Sequence, residues 1–361
     1  MEWKFSEEQQ AYAEALGDWL DGKAPLSQVR TWFEAGSESE FEEEFAEDWA
    51  GVGIDGANGG QGGGLIELAL TAQSLAKAGV PSTVWLATIL GIPLLGERFD
   101  LVGSSLNGAP LVLAARADAI PSEASALYVD AQGRITGSVP QVLAGAEAAG
   151  FIVLTGEPGE PRLRLVQRGD EVNVTERRLL DLSRKVADVE FVQAPSVALD
   201  VDGVQALRTV NLHAAILSAA DALGASERML SLSVEYSKQR TQFGVPIGSF
   251  QAVKHAAATM MVATEAARSV IYYAAAAVVE DHPEAELYAA ATKAQVTSEA
   301  VKSADSALTV HGAIGYTWEH DLHLFYKRAK LDQQLFGSPR RWNDKLADAL
   351  NLVNEQERHL V

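Results

Sequence analysis

The residues best equipped for chemistry lie at Arg240-Thr241-Gln242-Phe243-Gly244-Val245-Pro246-Ile247, followed by Phe250-Gln251-Ala252-Val253-Lys254-His255. The pattern reads as a helix end, a tight turn and a new helix start. A guanidinium at a helix end can clamp a pyrophosphate with two parallel hydrogen bonds. An aromatic ring beside it, and the Gln251 amide on the next helix, can hold an adenosine.

Other chemistry-bearing patterns are weaker. Asp55-Gly56-Ala57-Asn58-Gly59-Gly60-Gln61-Gly62-Gly63-Gly64 is glycine-rich, but no Lys-Ser/Thr follows, as a phosphate loop requires. It reads as a flexible turn before a helix over 65–78. Glu319-His320-Asp321 with His323 sets two imidazoles three residues apart, with a carboxylate between them. A third and fourth zinc ligand are missing, so a hydrogen-bond network is expected there and no metal. The chain has no G-x-S-x-G for an acyl nucleophile. It has no cysteine, which excludes disulfides, thiolate metal sites and Cys nucleophiles.

These groups need elements to position them. Residues 1–105 read as a helical domain, opened by a capping box at Ser6-Glu7-Glu8-Gln9. Residues 106–202 read as a small β domain. Its strands are the short apolar runs at Leu111–Leu113, Ala126–Val129, Arg134–Thr136, Phe151–Leu154, Leu163–Val166 and Val189–Val192. Residues 203–361 read as a helical bundle, with helices at about 203–239, 251–281, 284–312 and 340–356. Pro246 and Pro283 stand at the junctions, and the small side chains of Ala274–Ala277 allow close packing. The expected class is α+β, as two helical domains around a β domain. At 361 residues, 47% of them hydrophobic, the chain suits two or three folded domains.

The formal charge of −20 makes nucleic acid and anionic membranes improbable partners. The acidic run 38–48 reads as a solvated helix face. The apolar stretches carry charges at helical spacing, so none reads as a membrane span. Met1-Glu2-Trp3-Lys4 has no secretory pattern, and a cytoplasmic location is expected.

The order of domains and the Arg240–Gln251 segment resemble the acyl-CoA dehydrogenases, in which R-x-Q/T-F-G-x-x-I-x-x-x-Q touches the ADP half of FAD. Two more segments agree. Val310-His311-Gly312-Ala313-Ile314-Gly315-Tyr316-Thr317 is similar to that family's G-G-x-G-Y-T, a loop that meets the FAD pyrophosphate and ribose. Thr309 stands where the family usually has Gln. Tyr326-Lys327-Arg328-Ala329-Lys330 is similar to Y-R-D-A-K, with Lys327 and Arg328 in place of Arg-Asp, so a local ion pair is expected to be lost. The resemblance spans the whole chain and is strongest over 224–337.

The same resemblance shows what is missing. The family's base is a Glu directly before a Gly-Thr pair. Here Phe336 holds that place, while Gly337 and Ser338 match the flavin-contacting pair. Some members carry the base on the long preceding helix, where this chain has Ala214, followed by Ala215 at a frequent Arg position. His213 beside them reads as a buried structural residue. The segments 115–122 and 139–145 lack the family's T-E-x-x-G-S and W/F-I-T/S flavin contacts. The resemblance therefore implies a non-catalytic subunit of a heteromeric α2β2 enzyme, of the kind associated with bacterial steroid side-chain degradation. Arg240, Gln242, Phe243, Gln251, Gly312, Ala313 and Gly315 would contact an FAD shared with a homologous partner. That partner would carry the catalytic Glu and most of the acyl-CoA site. Two alternatives remain: a self-sufficient flavoenzyme of the same fold, such as an oxidase or hydroxylase, or a cofactor-free structural partner.

Overall fold

A computed structural model describes residues 4–157 and 159–350. Six helices come first: Glu7–Lys23 (α1), Leu26–Ala35 (α2), Ser39–Asp48 (α3), Leu65–Ala78 (α4), Thr83–Gly91 (α5) and Phe99–Leu106 (α6). The capping box is formed. Ser6 Oγ accepts from the Gln9 amide at 3.1 Å, and Gln9 Oε1 accepts from the Ser6 amide at 3.0 Å. The glycine-rich segment is a packed turn, not the loose one expected. Gly62 N donates to Ile54 O at 2.8 Å, and a Cβ on Gly60 would sit 2.1 Å from Ile54 O. Its glycines serve this close backbone approach.

The next eight strands are Leu111–Leu113 (β1), Tyr128–Val129 (β2), Arg134–Leu143 (β3), Gly150–Glu157 (β4), Glu160–Gln167 (β5), Val172–Arg177 (β6), Val186–Pro195 (β7) and Val197–Ala198 (β8). They form two four-stranded sheets, ordered β1-β4-β5-β8 and β2-β3-β7-β6. The pair β1–β4 is parallel and the other pairs are antiparallel. Phe151 and Phe191, one from each sheet, meet edge to face at 5.6 Å in the core. Strand β6 was not expected, because Asn173, Thr175, Glu176 and Arg177 hide its alternation.

The remaining elements are Gly203–Gln239 (α7), a hairpin of Thr241–Gln242 (β9) and Val245–Pro246 (β10), then Gln251–Val279 (α8), Ala285–His311 (α9), Leu322–Gln334 (α10) and Pro339–Ala349 (α11). Asp202 caps α7 by accepting from the amides of Val204 and Gln205. Helices α7, α8 and α9 pack on one another, α10 packs on α7 and α9, and α11 packs on α9. Of the helix expected at 340–356, residues 351–356 lie outside the described ones. A Cβ on Gly224 would come within 2.0 Å of Gln73 O, so glycine is what lets α7 cross α4. Helix α8 is long and apolar enough, by composition alone, to cross a bilayer. Its second half is buried in the bundle (Ile271, Tyr272, Ala274–Ala277), while Met261 and Val262 in its first half are exposed.

The expected loss of an ion pair at Arg328 is corrected by the structure. Arg328 is 1% exposed, and it grips Asp221 of α7 with two hydrogen bonds, Nε to Oδ1 at 2.6 Å and an Nη to Oδ2 at 2.7 Å. It also donates to Val80 O and Ser82 Oγ. Arg184, from the loop between β6 and β7, binds the same carboxylate. Burial alone would push the Asp221 carboxyl up, but Arg184 and Arg328 hold it well below the usual carboxylate range. The cation stands on the motif helix α10, and its anion lies on α7. The cluster ties the β layer, the start of α5 and the bundle together.

Candidate functional site

Helix α7 stops because Arg240 turns extended, with φ −72° and ψ 122°. The chain then makes the β9–β10 hairpin, pairing Val245 with Gln242 and Pro246 with Thr241. Its two central residues, Phe243 and Gly244, have φ of +51° and +79°. Positive φ at both positions matches the twist of a two-residue hairpin. For Phe243 this conformation costs about 1 kcal/mol or more. The turn therefore spends stability to hold an aromatic ring in solvent, 93% exposed. Phe250 stands edge-on to that ring at 6.1 Å, and α8 begins at the next residue, Gln251. The side chains of Arg240, Gln242 and Gln251 are exposed and make no hydrogen bond or ion pair with the described residues.

The glycine loop lies at the same end of the bundle. Helix α9 ends at His311, and Gly312 leaves it with φ +68°. Gly312 and Ala313 are exposed, while Gly315 is buried against Leu308 and Leu322. The His311 ring stacks on Tyr236, in the last turn of α7, at 4.6 Å. That contact joins the two segments. An open groove of about 490 Å³ runs past Gly312 and Ala313, beside Asp305, Thr309 and Tyr316. Together these residues present an unpaired cation, two amides, a solvent-facing ring and accessible backbone, a set suited to a nucleotide's phosphates and base. Tyr236 was not singled out from the sequence. Its place one helical turn before Arg240, on the same face, was the available signal.

The histidines near this end have other partners. His320 Nδ1 accepts from the Leu322 amide at 3.1 Å, Asp321 pairs with Arg30, and the His323 ring meets Trp318 at 4.5 Å. Among the described residues no three His, Cys, Asp or Glu converge to hold a metal.

The turn between α10 and α11 has a different character. Phe336 and Gly337 have φ of +56° and +99°. Phe336 N donates to Ala117 O at 2.7 Å, and Trp342 Nε1 donates to Phe336 O at 2.9 Å. A Cβ on Gly337 would meet Ile120 at 2.6 Å. The backbone is thus held firmly in a left-handed shape, but the side chain it presents is apolar. The ring lines a small pocket of about 30 Å³, shared with Ala87, Leu90, Leu143 and Val210. That is room for about one water, too little for a flavin ring or a thioester. The pocket has no carboxylate, and its one ionisable wall residue, Arg116, is paired with Asp118 at 2.7 Å. Ala214 and Ala215 are fully buried. His213 Nδ1 is buried without a partner, and burial pulls its pKa down to about 4, so it stays neutral. The pocket lining offers no carboxylate to take a proton from carbon.

The residues expected to bind cofactor therefore fall into two sets. Arg240, Gln242, Phe243, Gln251, Gly312, Ala313 and Gly315 share one end of the bundle. Gly337 and Ser338 sit with Phe336 beside Val210, near the start of α7. From Val210 to Arg240 the helix rises about 45 Å.

Residues 202–345 match the family model described as acyl-CoA dehydrogenase, C-terminal domain. The chain is 35% identical over 286 residues to the acyl-CoA dehydrogenase IpdE2 of Mycobacterium tuberculosis, covering 78% of this chain and 77% of that protein. It is 34% identical over 365 residues to the acyl-CoA dehydrogenase FadE34 of the same organism, covering 93% of this chain but only 47% of that one. Among solved structures it resembles the ChsE4–ChsE5 complex of M. tuberculosis (TM-score 0.85, 22% identity, 98% of this chain and 100% of that chain). A structure described as the Tcur3481–Tcur3483 steroid ACAD is as close (TM-score 0.85, 22% identity, 95% and 98%).

Proposed function

Because the chain belongs to the acyl-CoA dehydrogenase family, we propose that it is the non-catalytic half of a two-subunit, FAD-dependent acyl-CoA dehydrogenase. In this reading it offers its Arg240 face to the ADP portion of an FAD whose flavin ring lies in a homologous partner. The observation that carries the reading is the separation of two sites on α7. The outward face is exposed and unpaired, while the pocket at Phe336, where the family resemblance would put flavin and substrate, lies about 45 Å away along the helix and is small. One dinucleotide held within this chain cannot serve both.

The residues present fit one half of the cofactor. Arg240 would pair with the pyrophosphate, the exposed ring of Phe243 and the amides of Gln242 and Gln251 would meet the adenosine, and the Gly312–Gly315 backbone would approach pyrophosphate and ribose. The flavin ring, when bound, accepts the β-hydride. This chain supplies neither that ring's pocket nor the base for the α-proton. A partner carrying a Glu before its own Gly-Thr would supply both. The exposed apolar residues Met261 and Val262 of α8 suit burial against such a partner. Two further observations support a paired assembly: one structural neighbour is a complex of two named chains, and the chain spans about half the length of FadE34. A steroid side-chain thioester is the proposed substrate class, by analogy with the neighbour described as a steroid ACAD.

A self-sufficient oxidase or hydroxylase is disfavoured by the small volume of the Phe336 pocket. A cofactor-free scaffold is disfavoured by the strained, solvent-facing Phe243 and the unpaired Arg240. The test is turnover of acyl-CoA thioesters with a dye acceptor. The purified chain alone is expected to show none, and co-expression with the homologous subunit is expected to restore it. Turnover by the single chain would overturn the proposal.

A further inference from the structure

The two halves of α8 differ. The second is buried in the bundle, while Lys254, Ala258, Met261, Val262 and Glu265 of the first all face solvent. Met261 is 50% exposed and Val262 69%. Positions 254, 258, 261 and 265 follow the i, i+4, i+7, i+11 spacing that keeps side chains on one stripe of a helix. Val262 widens that stripe.

The order of residues along the stripe is specific. The cation Lys254 comes first and the apolar residues stand in the middle. The anion Glu265 comes last, about 16 Å further along the axis. Lys254 has no hydrogen bond or ion pair with the described residues. Glu265 has one long contact, 3.4 Å to Arg268, and Arg268 is held more closely by Glu227 at 2.7 Å. Both charges are therefore available to a neighbour.

A two-fold axis sets a helix antiparallel to its own copy and so reverses the order it faces. With the axis between Thr259 and Met260, Lys254 of each copy stands opposite Glu265 of the other. Ala258 stands opposite Met261, and Ala257 opposite Val262, so that large residues meet small ones and the helices can approach closely. The stripe carries one cation and one anion, so two chains of formal charge −20 can meet there without local repulsion.

We propose that the exposed half of α8 pairs with the same face of a second copy of this chain, across a two-fold axis. A homologous partner would also cover Met261 and Val262, but a charge order that complements itself on reversal is what a contact between identical faces requires. The contact goes beyond FAD sharing and needs neither the flavin nor an unlike subunit, so its failure leaves the Arg240 assignment standing. The crossing lies about 13 Å along the axis from Gln251, and crossing helices diverge, so the Arg240 face stays open.

Sedimentation of the purified full chain, from micromolar to submillimolar concentration at physiological salt, tests this. The unaltered chain is expected to approach twice its mass of 38.5 kDa. Its dissociation constant should be on the order of 10 µM, since one helix crossing is smaller than a standard interface. Lys254→Glu and Glu265→Lys should each weaken the dimer at least about tenfold, by setting like charges opposite each other twice. The double variant exchanges the two charges and should recover the dimer, as should an equimolar mixture of the two single variants. Against an unlike partner the double exchange would instead be the most damaging. Both side chains are exposed, and circular dichroism of each variant checks that the fold is kept. A monomer at every concentration, a dimer indifferent to the single reversals, or a double variant that fails to recover would each overturn the proposal. The first of these needs no variant.

Discussion

Replacing Arg240 with Ala separates a cofactor contact from a structural one. The side chain closes α7 in full solvent and pairs with none of the described residues. Its removal should therefore change the chain's own stability by no more than about 0.5 kcal/mol. Against a pyrophosphate in an assembled heteromer, a charge-assisted, two-pronged contact contributes about 1.5–3 kcal/mol. At about 1.4 kcal/mol per decade, FAD should bind one to two decades more weakly. Arg240→Lys keeps the charge without the fork and should fall in between. The assay titrates FAD into apo-heteromer and follows flavin fluorescence, with the assembly state checked in the same samples. If Arg240 only meets a neighbouring carboxylate at the surface, about 0–1 kcal/mol is at stake and the flavin curve does not move. An unchanged dissociation constant in an intact assembly would refute the assignment of this face.

Phe336→Glu should not confer turnover on the isolated chain. The pocket of about 30 Å³ admits no substrate, and a carboxylate placed there costs several kcal/mol or stays protonated; bleaching of a self-bound flavin by substrate would contradict this. Asp221→Ala leaves Arg184 and Arg328 buried without their carboxylate, a loss of about 3–5 kcal/mol. With an unfolding entropy of about 0.8 kcal/mol/K for a chain of this length, Tm should fall by about 4–6 °C in calorimetry, and a shift below about 1 °C would count against the cluster's role. His213 has its pKa lowered to about 4, so as pH falls from about 6.5 the unfolded chain takes up this proton first and stability is lost. His213→Leu should make the drop in unfolding free energy between pH 7 and pH 4.5 smaller by about 2–3 kcal/mol, read from urea curves at both pH values.

What could be read from the sequence was local. The Arg240–Gln251 segment declares its own hairpin through Phe243-Gly244 and its own helix start, and the structure builds both from neighbouring residues. The long helices declare themselves by period, and α7 begins and ends where the pattern does. What could not be read depends on residues far apart in the chain. Arg328 looked like a motif position that had lost its partner, because Asp221 lies 107 residues away on another helix. The His311–Tyr236 stack, which brings the two candidate cofactor segments to one end, joins the ends of α7 and α9 and leaves no trace in either segment alone. The small volume of the pocket at Phe336 needs Leu143, Leu90 and Val210 to converge from three elements. The sequence names the missing base but not the missing space.

The central claim is that two chains together build one flavin site, to which this chain adds only the outer half. The most direct measurement is the number of FAD molecules bound per assembled heteromer, from flavin absorbance after denaturation against protein quantified by subunit. The account predicts one FAD for each pair of unlike subunits, since the pocket at Phe336 in this chain is too small for a flavin ring. Two FAD per pair, one for every chain, would contradict it.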